Sequence, residues 1–177
     1  GEVSYSEAHL AHLTPRVEGV VTQVQRTLGE SVTVGEVLAL LESRELAEAK
    51  AEYLAGRERV KLAKALHERE RALWEKKITA EQDHLSAQQA FNEAKIRLQT
   101  SEQQLHAIGL SDREVQALTN EQHADLTRYE VRAPFAGTIV ERHLTKGERV
   151  GPETALYTIA NLDTMWVMAD VYEQDIG

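Results

Sequence analysis

VRAPFAGTIVERHLTKGERVG, residues 131–151, repeats the pattern of RVEGVVTQVQRTLGESVTVG, residues 16–35. A shift of 118 positions aligns Gly19 with Gly137 and Gly29 with Gly147. The same shift aligns three further pairs, Glu30 with Glu148, Val32 with Val150 and Leu38 with Leu156. Two ordinary hairpins would rarely share this many anchors, so the pattern favours one structural unit that is written twice.

Each copy predicts two short strands. The first strand-like run is VVTQVQ (20–25) in one copy and TIVERHL (138–144) in the other. After a glycine turn comes a second apolar run, VLALLE (37–42) or ALYTIA (155–160). β-Branched residues separated by turn glycines are typical of antiparallel strands. An isolated hairpin is marginal in water, so we expect the two copies to close a single β-sandwich.

We interpret four glycines, Gly19, Gly29, Gly137 and Gly147, as structural turns of these two halves. Glycine adopts positive φ angles without the steric penalty of a Cβ atom. The sandwich can close only if the segment between the two copies, residues 36–130, ends close to where it began. We therefore expect that segment to run out and back.

The segment between the two copies is rich in strong helix formers, and it predicts two antiparallel helices of about 35 and about 30 residues. Residues 42–107 contain no proline and one glycine, Gly56. In the second helix a heptad seam is predicted at Ala87, Phe91, Ala94, Leu98, Ser101, Leu105 and Ile108. In the first helix we expect a looser stripe at Ala55, Leu62, Leu66 and Leu73. The seam is narrow, so the pattern indicates a slim coiled-coil hairpin.

Turn and cap signals punctuate the helical region. KKIT (76–79) separates the helices, and Thr79 with Gln82 matches a capping box. Beyond the second helix, Gly109 predicts a turn and Ser111 caps a further short helix. A strand-like segment at 126–134 then leads into the second copy.

Composition excludes several classes of function. The net charge is −9, whereas phosphate binding needs clustered Lys and Arg, so we expect no nucleic-acid partner. The chain has no cysteine, and therefore no disulfide, thiolate metal site or thiol nucleophile. No apolar run approaches eighteen residues.

The histidines and methionines do not form a convincing metal site. His9 and His12 are three residues apart with only Glu7 nearby, and a solvent-facing pair is the simpler interpretation. On a strand, Met165 and Met168 would point to opposite faces and could not share one ion. No metalloprotease, phosphate-loop or nucleophile-elbow motif occurs. We predict no catalytic centre, no cofactor and no metal.

The arrangement resembles the periplasmic adaptor proteins, also called membrane fusion proteins of the HlyD-like family. VEGVV with LGESVTVGEVLALLES (17–21 and 28–43) is similar to the first lipoyl half of that family. VRAPFAGTIVERHLTKGERVGPETALYTIANL (131–162) is similar to the second half. The short hairpin tip and GLSDREVQAL (109–118) most resemble the heavy-metal (Cus/Czc-like) branch.

The resemblance implies an α+β fold: a split lipoyl-like (barrel-sandwich hybrid) β domain, an inserted coiled-coil hairpin and fragments of a β-barrel. The implied segments are a partial barrel strand and linker (1–14), the first lipoyl half (15–42), the hairpin (43–108), a short helix and linker (109–125), the second lipoyl half (126–160) and the start of an incomplete barrel domain (161–177).

The resemblance also implies partners and contact residues. It predicts a periplasmic subunit, associated with the inner membrane, that links an inner-membrane RND transporter to an outer-membrane TolC-like channel and exports heavy-metal cations. Copies would associate into a ring, as a hexamer in the assembled pump. In the family the hairpin tip meets the channel, often through an Arg, a Leu and a Ser, and Arg69, Leu73 and Thr79 match in order. The last gap is one residue short and the hydroxyl belongs to Thr.

Three alternatives remain open at the level of sequence. The adaptor could serve a multidrug or type I secretion exporter. A lipoyl or biotinyl carrier domain has a similar sandwich, although the junction that would hold its modified lysine is occupied here by the helical insertion. A plain coiled-coil scaffold would also contain the two helices.

Overall fold

The computed structural model describes the backbone of residues 2–5, 10–118, 125–162 and 165–168, with side chains for 10–118 and 125–162. The chain divides into two compact units. The β unit comprises Gly1–Ser43 and Arg128–Gly177, and the helical unit comprises Arg44–Thr127. The helical unit is therefore an insertion between two segments of the β unit.

Short strands form the β unit. In chain order, the strands that the structure describes are β1 (Glu2–Tyr5), β2 (Leu10–Leu13), β3 (Gly19–Val24), β4 (Ser31–Val32), β5 (Val37–Glu42), β6 (Arg128–Arg132), β7 (Gly137–Arg142), β8 (Arg149–Val150), β9 (Tyr157–Ala160) and β10 (Met165–Met168). Two antiparallel four-stranded sheets have the orders β2-β9-β7-β4 and β6-β5-β3-β8. Each sheet combines strands from both copies of the repeat, which confirms that the copies fold as one body.

The shift of 118 positions relates the hydrogen bonds as well as the sequence. The Gly29 N–H donates to the carbonyl oxygen of Ile139 at 2.8 Å, and the Gly147 N–H donates to that of Val21 at 2.7 Å. The turn of each half therefore pairs with the first strand of the other half. Backbone groups that would be unpaired in a single half are satisfied only by the partner half.

The four expected turn glycines act in two different ways. Gly29 and Gly147 have φ angles of 83° and 88° and lie in turns, as predicted. Gly19 and Gly137 instead begin β3 and β7, so their interpretation as turns is wrong. A Cβ at Gly19 would lie 2.8 Å from the Glu42 carbonyl oxygen, and one at Gly137 would lie 2.7 Å from that of Ala160. Glycine is needed there because two backbones approach closely.

A Thr-x-Gly-Glu turn occurs three times in the β unit, at 27–30, 33–36 and 145–148. In each turn the glutamate carboxylate accepts a hydrogen bond from the threonine N–H, at 3.0, 2.8 and 2.8 Å respectively. In the second turn, the hydrogen bond from the Thr33 N–H holds the pKa of the Glu36 carboxyl below its usual value. The carboxylate replaces a backbone acceptor and closes the turn locally.

The core of the β unit draws on both halves. Its members include three pairs at equivalent positions, Val21 with Ile139, Val32 with Val150 and Leu38 with Leu156. Tyr157 breaks the symmetry, because its buried hydroxyl lies 3.0 Å from the Leu38 carbonyl oxygen and 3.1 Å from that of Arg26. Burial raises the pKa of Tyr157 to about 12.

The N-terminal segment differs from its predicted assignment to a barrel strand and linker at 1–14. β2 pairs with β9, with Leu10 opposite Ala160 and Leu13 opposite Tyr157, so it belongs to the sandwich. Shifted by 118 positions, β2 falls on β6, and the repeat therefore begins earlier than the glycine pattern indicated.

A separate two-stranded sheet lies at the ends of the described chain. β1 pairs antiparallel with β10, with Glu2 opposite Met168 and Tyr5 opposite Met165. This pairing agrees with the expectation that both ends contribute to one further β structure. His9, Glu7 and residues 169–177 lie outside the described residues.

The helical unit contains α1 (Arg44–Glu75), α2 (Glu81–Ile108) and α3 (Asp112–Ala117). α1 and α2 are antiparallel neighbours, because His67 stacks on His84 near the connecting turn while Gly56 faces Leu98 farther along. Gly109 ends α2 with a φ of 108°, and Ser111 with Glu114 forms a capping box on α3. Both of these signals were predicted correctly.

The contact between α1 and α2 matches the prediction fully in α2 and partly in α1. Every predicted seam residue of α2 is buried or half-buried. In α1 the expected Ala55 and Leu73 are half-buried. Leu62 and Leu66 are 63% and 40% exposed, so the predicted stripe is wrong at these two positions. The less exposed positions spaced three and four apart are Leu46, Ala49, Tyr53, Gly56, Val60, Ala63, His67 and Glu70. Small and polar residues fill much of this seam, so hydrophobicity did not reveal it.

Candidate functional site

The turn at residues 76–80 is the candidate site, because it joins the two long helices. The Lys77 N–H donates to the Trp74 carbonyl oxygen at 2.8 Å, and the Ile78 N–H donates to that of Leu73 at 2.9 Å. This is the Schellman pattern, which satisfies the last carbonyl groups of a helix. Lys77 takes the left-handed position with a φ of 59°. Glycine usually holds that position because it has no Cβ atom.

Arg69 and Leu73, two of the predicted contact residues, differ in exposure. The Arg69 guanidinium donates to Glu70 Oε1 through Nε at 3.2 Å and Nη2 at 2.9 Å. The Arg69 side chain is nevertheless 65% exposed, whereas that of Glu70 is 17% exposed. Leu73 is half-buried. Arg69 therefore remains accessible on the surface of α1, and Leu73 is partly covered.

Thr79, the third predicted residue, does not cap α2. The N-cap position is Ala80, which makes no side-chain cap hydrogen bond, so the predicted capping box with Gln82 is wrong. The Thr79 hydroxyl instead donates to Asp83 Oδ2 at 3.0 Å. α2 begins one residue later than a capping box of Thr79 and Gln82 requires. The Thr79 hydroxyl is therefore bonded to the carboxylate of Asp83, the residue after Gln82.

Four other residues form the exposed surface of the turn: Trp74, Lys76, Lys77 and Ile78, here called the turn surface. Ile78 is 68% exposed and Trp74 is 41% exposed. Both lysines are exposed, and within the described residues neither has a carboxylate within salt-bridge distance. The sequence indicated that these lysines lack ion-pair partners on α1. An acidic partner would be expected four positions earlier, and those positions hold Ala72 and Leu73.

Trp74 is the first of four stacked rings. Trp74 stacks on His84 with ring centroids 5.0 Å apart, His84 on His67 at 5.5 Å, and His67 on Phe91 at 5.7 Å. The Nδ1 atoms of both histidines are buried without a hydrogen-bond partner in the described structure. The stack crosses between α1 and α2 and fixes one face of the indole.

Separately, a cluster of polar side chains lies on the β unit. His12 Nδ1 is 3.0 Å from Thr158 Oγ1, and the Thr158 hydroxyl donates to Glu141 Oε2 at 2.7 Å. His143 Nε2 lies 3.6 Å from the same carboxylate oxygen. The hydrogen bond from Thr158 holds the pKa of Glu141 below its usual value. Since the Thr158 hydroxyl donates its proton to Glu141, it accepts a hydrogen bond from His12. His12, Thr158 and Glu141 therefore form a hydrogen-bonded chain in which the Thr158 hydroxyl is both donor and acceptor.

The described residues offer no site for metal chemistry of the usual kind. Across 10–118 and 125–162, no group of three or more His, Cys, Asp or Glu side chains is arranged to hold a metal ion. Among the described helices, none combines the length and apolarity that a membrane crossing requires. Among the described large apolar side chains of the helical unit, Ile78 in the turn is the most exposed, at 68%.

The paired four-stranded sheets, built from two equivalent halves that enclose a helical insertion in sequence, define a barrel-sandwich hybrid. Residues 9–161 match the family described as CzcB-like, barrel-sandwich hybrid domain. The chain belongs to this family.

Named relatives share the sequence over nearly the whole chain. The cobalt-zinc-cadmium resistance protein CzcB of Cupriavidus metallidurans is 40% identical over 99% of this chain and 32% of that protein. The nickel-cobalt-cadmium resistance protein NccB of Alcaligenes xylosoxydans xylosoxydans is 31% identical over 93% of this chain and 38% of its own length. The chain thus spans about a third of the length of the curated relatives that it matches.

Solved structures share the fold. The crystal structure of ZneB from Cupriavidus metallidurans superposes with a TM-score of 0.68 at 24% identity, over 90% of this chain and 64% of that one. A putative efflux transporter from Bacteroides eggerthii superposes with a TM-score of 0.58 at 20% identity, over 92% and 42% of the two chains.

Proposed function

We propose that the chain is part of a periplasmic adaptor subunit of a tripartite efflux system that exports heavy-metal cations. The observation that carries the proposal is the family match over residues 9–161 together with 40% identity to CzcB over 99% of the chain. The matched relatives are named for resistance to cobalt, zinc, cadmium and nickel. These names support a divalent metal cation as the cargo in preference to a drug.

The proposed role is geometric and involves no catalysis. α1 and α2 would act as a coiled-coil hairpin that reaches an outer-membrane TolC-like channel, while other parts of the protein address an inner-membrane RND transporter. Copies would associate into a ring, for which a hexamer is the proposed number. The two antiparallel helices, each of about 30 residues or roughly 45 Å, support this assignment.

The test is complementation with the full-length protein. A strain that lacks its own adaptor gene would receive the wild-type gene and be grown on zinc, cobalt, cadmium and nickel salts and, as a comparison, on a panel of drugs. We expect restored tolerance to at least one metal and no change in tolerance to the drugs. Restored tolerance to drugs alone would favour the multidrug alternative, and restoration of neither would contradict the proposed function.

The carrier-domain alternative makes a different measurement decisive. A lipoyl or biotinyl carrier holds a modified lysine at the junction between its two halves. Here that junction, between β5 and β6, is occupied by the helical unit. Intact-mass spectrometry of the protein purified from its native host should show the unmodified mass, and a lipoyl or biotinyl adduct would favour the carrier.

A further inference from the structure

We propose that the channel-facing contact of the helical unit is the turn surface, and that it fits a partner surface in which carboxylates surround an apolar cleft. This inference rests on the proposed function, in which the helical unit meets the outer-membrane channel. It replaces Arg69 and Thr79 as the main contact residues.

The apolar part of the turn surface is exposed and already ordered. Ile78 and Trp74 are 68% and 41% exposed. Trp74 stacks on His84 with an interplanar angle of 8°, so the imidazole covers one face of the indole. An aromatic side chain that is held in place before binding loses little conformational entropy on contact. Such residues are typical centres of protein interfaces.

The charged part of the turn surface lacks internal partners. On the neighbouring last turns of α1 the cations lie close to carboxylates: Lys64 to Glu68, Arg69 to Glu70, and Arg71 to Glu75. Lys76 and Lys77 have no such pair within the described residues, in a chain whose net charge is −9. Two unpaired cations beside two exposed apolar side chains complement an acidic rim around an apolar cleft.

The backbone of Lys77 gives an independent argument. Its φ of 59° lies in the left-handed region, where glycine is favoured. A side chain at this position lowers the stability of the turn relative to glycine, and such strain tends to persist where the side chain has a function. The lysine side chain is therefore the feature that needs explanation, and a contact with an acidic partner supplies it.

The residues predicted from the family pattern have partners within the helical unit. Arg69 donates to Glu70, although its side chain is 65% exposed, and the Thr79 hydroxyl donates to Asp83. A partner that accepted the Thr79 hydroxyl proton would compete with the bond to Asp83. A contact through the turn surface breaks no hydrogen bond that the structure describes.

The key variant is Lys77→Gly in the full-length protein, because it removes the charge and relieves the backbone strain at once. We expect the midpoint of thermal unfolding to stay equal or to rise by about 2 °C. We expect affinity for the purified outer-membrane channel of the same efflux system to fall about tenfold, and metal tolerance to fall with it. A merely structural lysine would show the stability gain with unchanged affinity and tolerance, which would overturn the inference.

Charge reversal gives the larger effect, and a pair of lysines on α1, away from the turn, is the control. Lys76→Glu with Lys77→Glu should lower channel affinity by about a hundredfold, and raising the salt concentration should weaken wild-type binding more than Lys77→Gly binding. Lys61→Glu with Lys64→Glu makes the same change of charge away from the turn and should leave affinity within about twofold. Equal losses in both double variants would overturn the inference.

Two further outcomes separate the possible failures. If Arg69→Glu abolishes binding while the turn-surface variants bind normally, the contact lies at Arg69 and the inference is wrong, although the proposed function stands. If the wild-type protein does not bind the channel, the proposed function fails and the inference with it. Binding to vesicles of phosphatidylethanolamine and phosphatidylglycerol that is lost in the turn-surface variants, with channel binding intact, would overturn it in favour of a membrane contact. Two lysines supply little membrane affinity, so we expect no such binding.

Discussion

The two units of this protein are stabilised in different ways. The β unit has a shared core and hydrogen bonds that each half donates to the other, so it can form only as a whole. α1 and α2 meet along a narrow seam that includes Gly56, Ala63 and Glu70, while large apolar residues such as Leu62 remain exposed. The β unit therefore depends on close fit throughout its core, whereas the helical unit depends on a narrow seam and exposes large apolar residues outside it.

The largest expected difference comes from a methyl group added at a glycine in each unit. Gly137→Ala places a Cβ 2.7 Å from the Ala160 carbonyl oxygen, so the two strands must separate, and we expect a loss of about 3 kcal/mol in the free energy of unfolding. Gly56→Ala is the matched control, because its Cβ would lie 3.5 Å from Leu98 Cδ1, an ordinary contact. Alanine also favours the helix by about 1 kcal/mol. Urea unfolding that shows equal effects would contradict the comparison.

The next effect locates the seam of the helical unit. Leu105→Ala removes a fully buried side chain from α2 and should lower the free energy of unfolding by about 2–4 kcal/mol. Leu66→Ala removes a leucine that is 40% exposed on α1, and we expect a change of less than about 0.5 kcal/mol. Thermal unfolding followed by circular dichroism measures both. A large loss for Leu66→Ala would restore the stripe that the sequence suggested.

A smaller effect tests the buried hydroxyl in the β unit. Tyr157→Phe removes a hydroxyl whose single proton is shared between the Leu38 and Arg26 carbonyl oxygens, and it should lower stability at pH 7 by about 1 kcal/mol. Burial raises the pKa of Tyr157 to about 12, above its usual value of 10, so the protonated form is favoured in the folded state. The resulting stabilisation is complete below pH 10 and is lost as the pH rises through about 12.

Chemical denaturation at several alkaline pH values measures this effect. The wild-type protein should lose more stability between pH 10 and 12 than the Tyr157→Phe variant does. Parallel pH profiles for the two proteins would show that the hydroxyl is not held in its protonated form.

A change of similar size but opposite sign is a gain of stability in the ring stack. His84→Phe keeps a ring between Trp74 and His67 and removes a buried Nδ1 atom that has no hydrogen-bond partner in the described structure. We expect a gain of about 1 kcal/mol. The control is His106→Phe, which should lose stability because His106 Nδ1 is hydrogen-bonded to the Leu110 carbonyl oxygen at 2.9 Å. Calorimetry that shows the same sign for both variants would contradict the role of the unpaired nitrogen.

The β unit could be predicted well because its geometry requires particular residues at particular places. Gly29 and Gly147 turn the chain, and Gly19 and Gly137 admit a neighbouring strand, so one spacing appears twice in the sequence. The extra strand β2 escaped notice because Leu10–Leu13 shares no glycine with its equivalent, β6.

The helical unit could be predicted only in part. The seam of α2 follows apolar residues such as Phe91, Leu98 and Leu105, and periodicity located it. The seam of α1 accommodates those side chains with Gly56, Ala63 and His67, which carry little hydrophobic signal. The turn was also predicted correctly at KKIT (76–79). Which cations near the turn lack a carboxylate partner depends on ion pairs within α1. Matching Arg69, Leu73 and Thr79 to the family motif by their spacing does not contain that information.

The reciprocal pairing between the two halves has a consequence for synthesis on the ribosome. Val21 cannot complete its backbone hydrogen bonds until Gly147 and Glu148 have been made. α1 and α2 meet first near their short connection, where the contacting residues are close in sequence and loop closure is fast. The nascent chain therefore carries a formed helical pair and an open half-sandwich, and the exposed edges of β3 and β5 depend on prompt completion of the second half to avoid pairing with other chains.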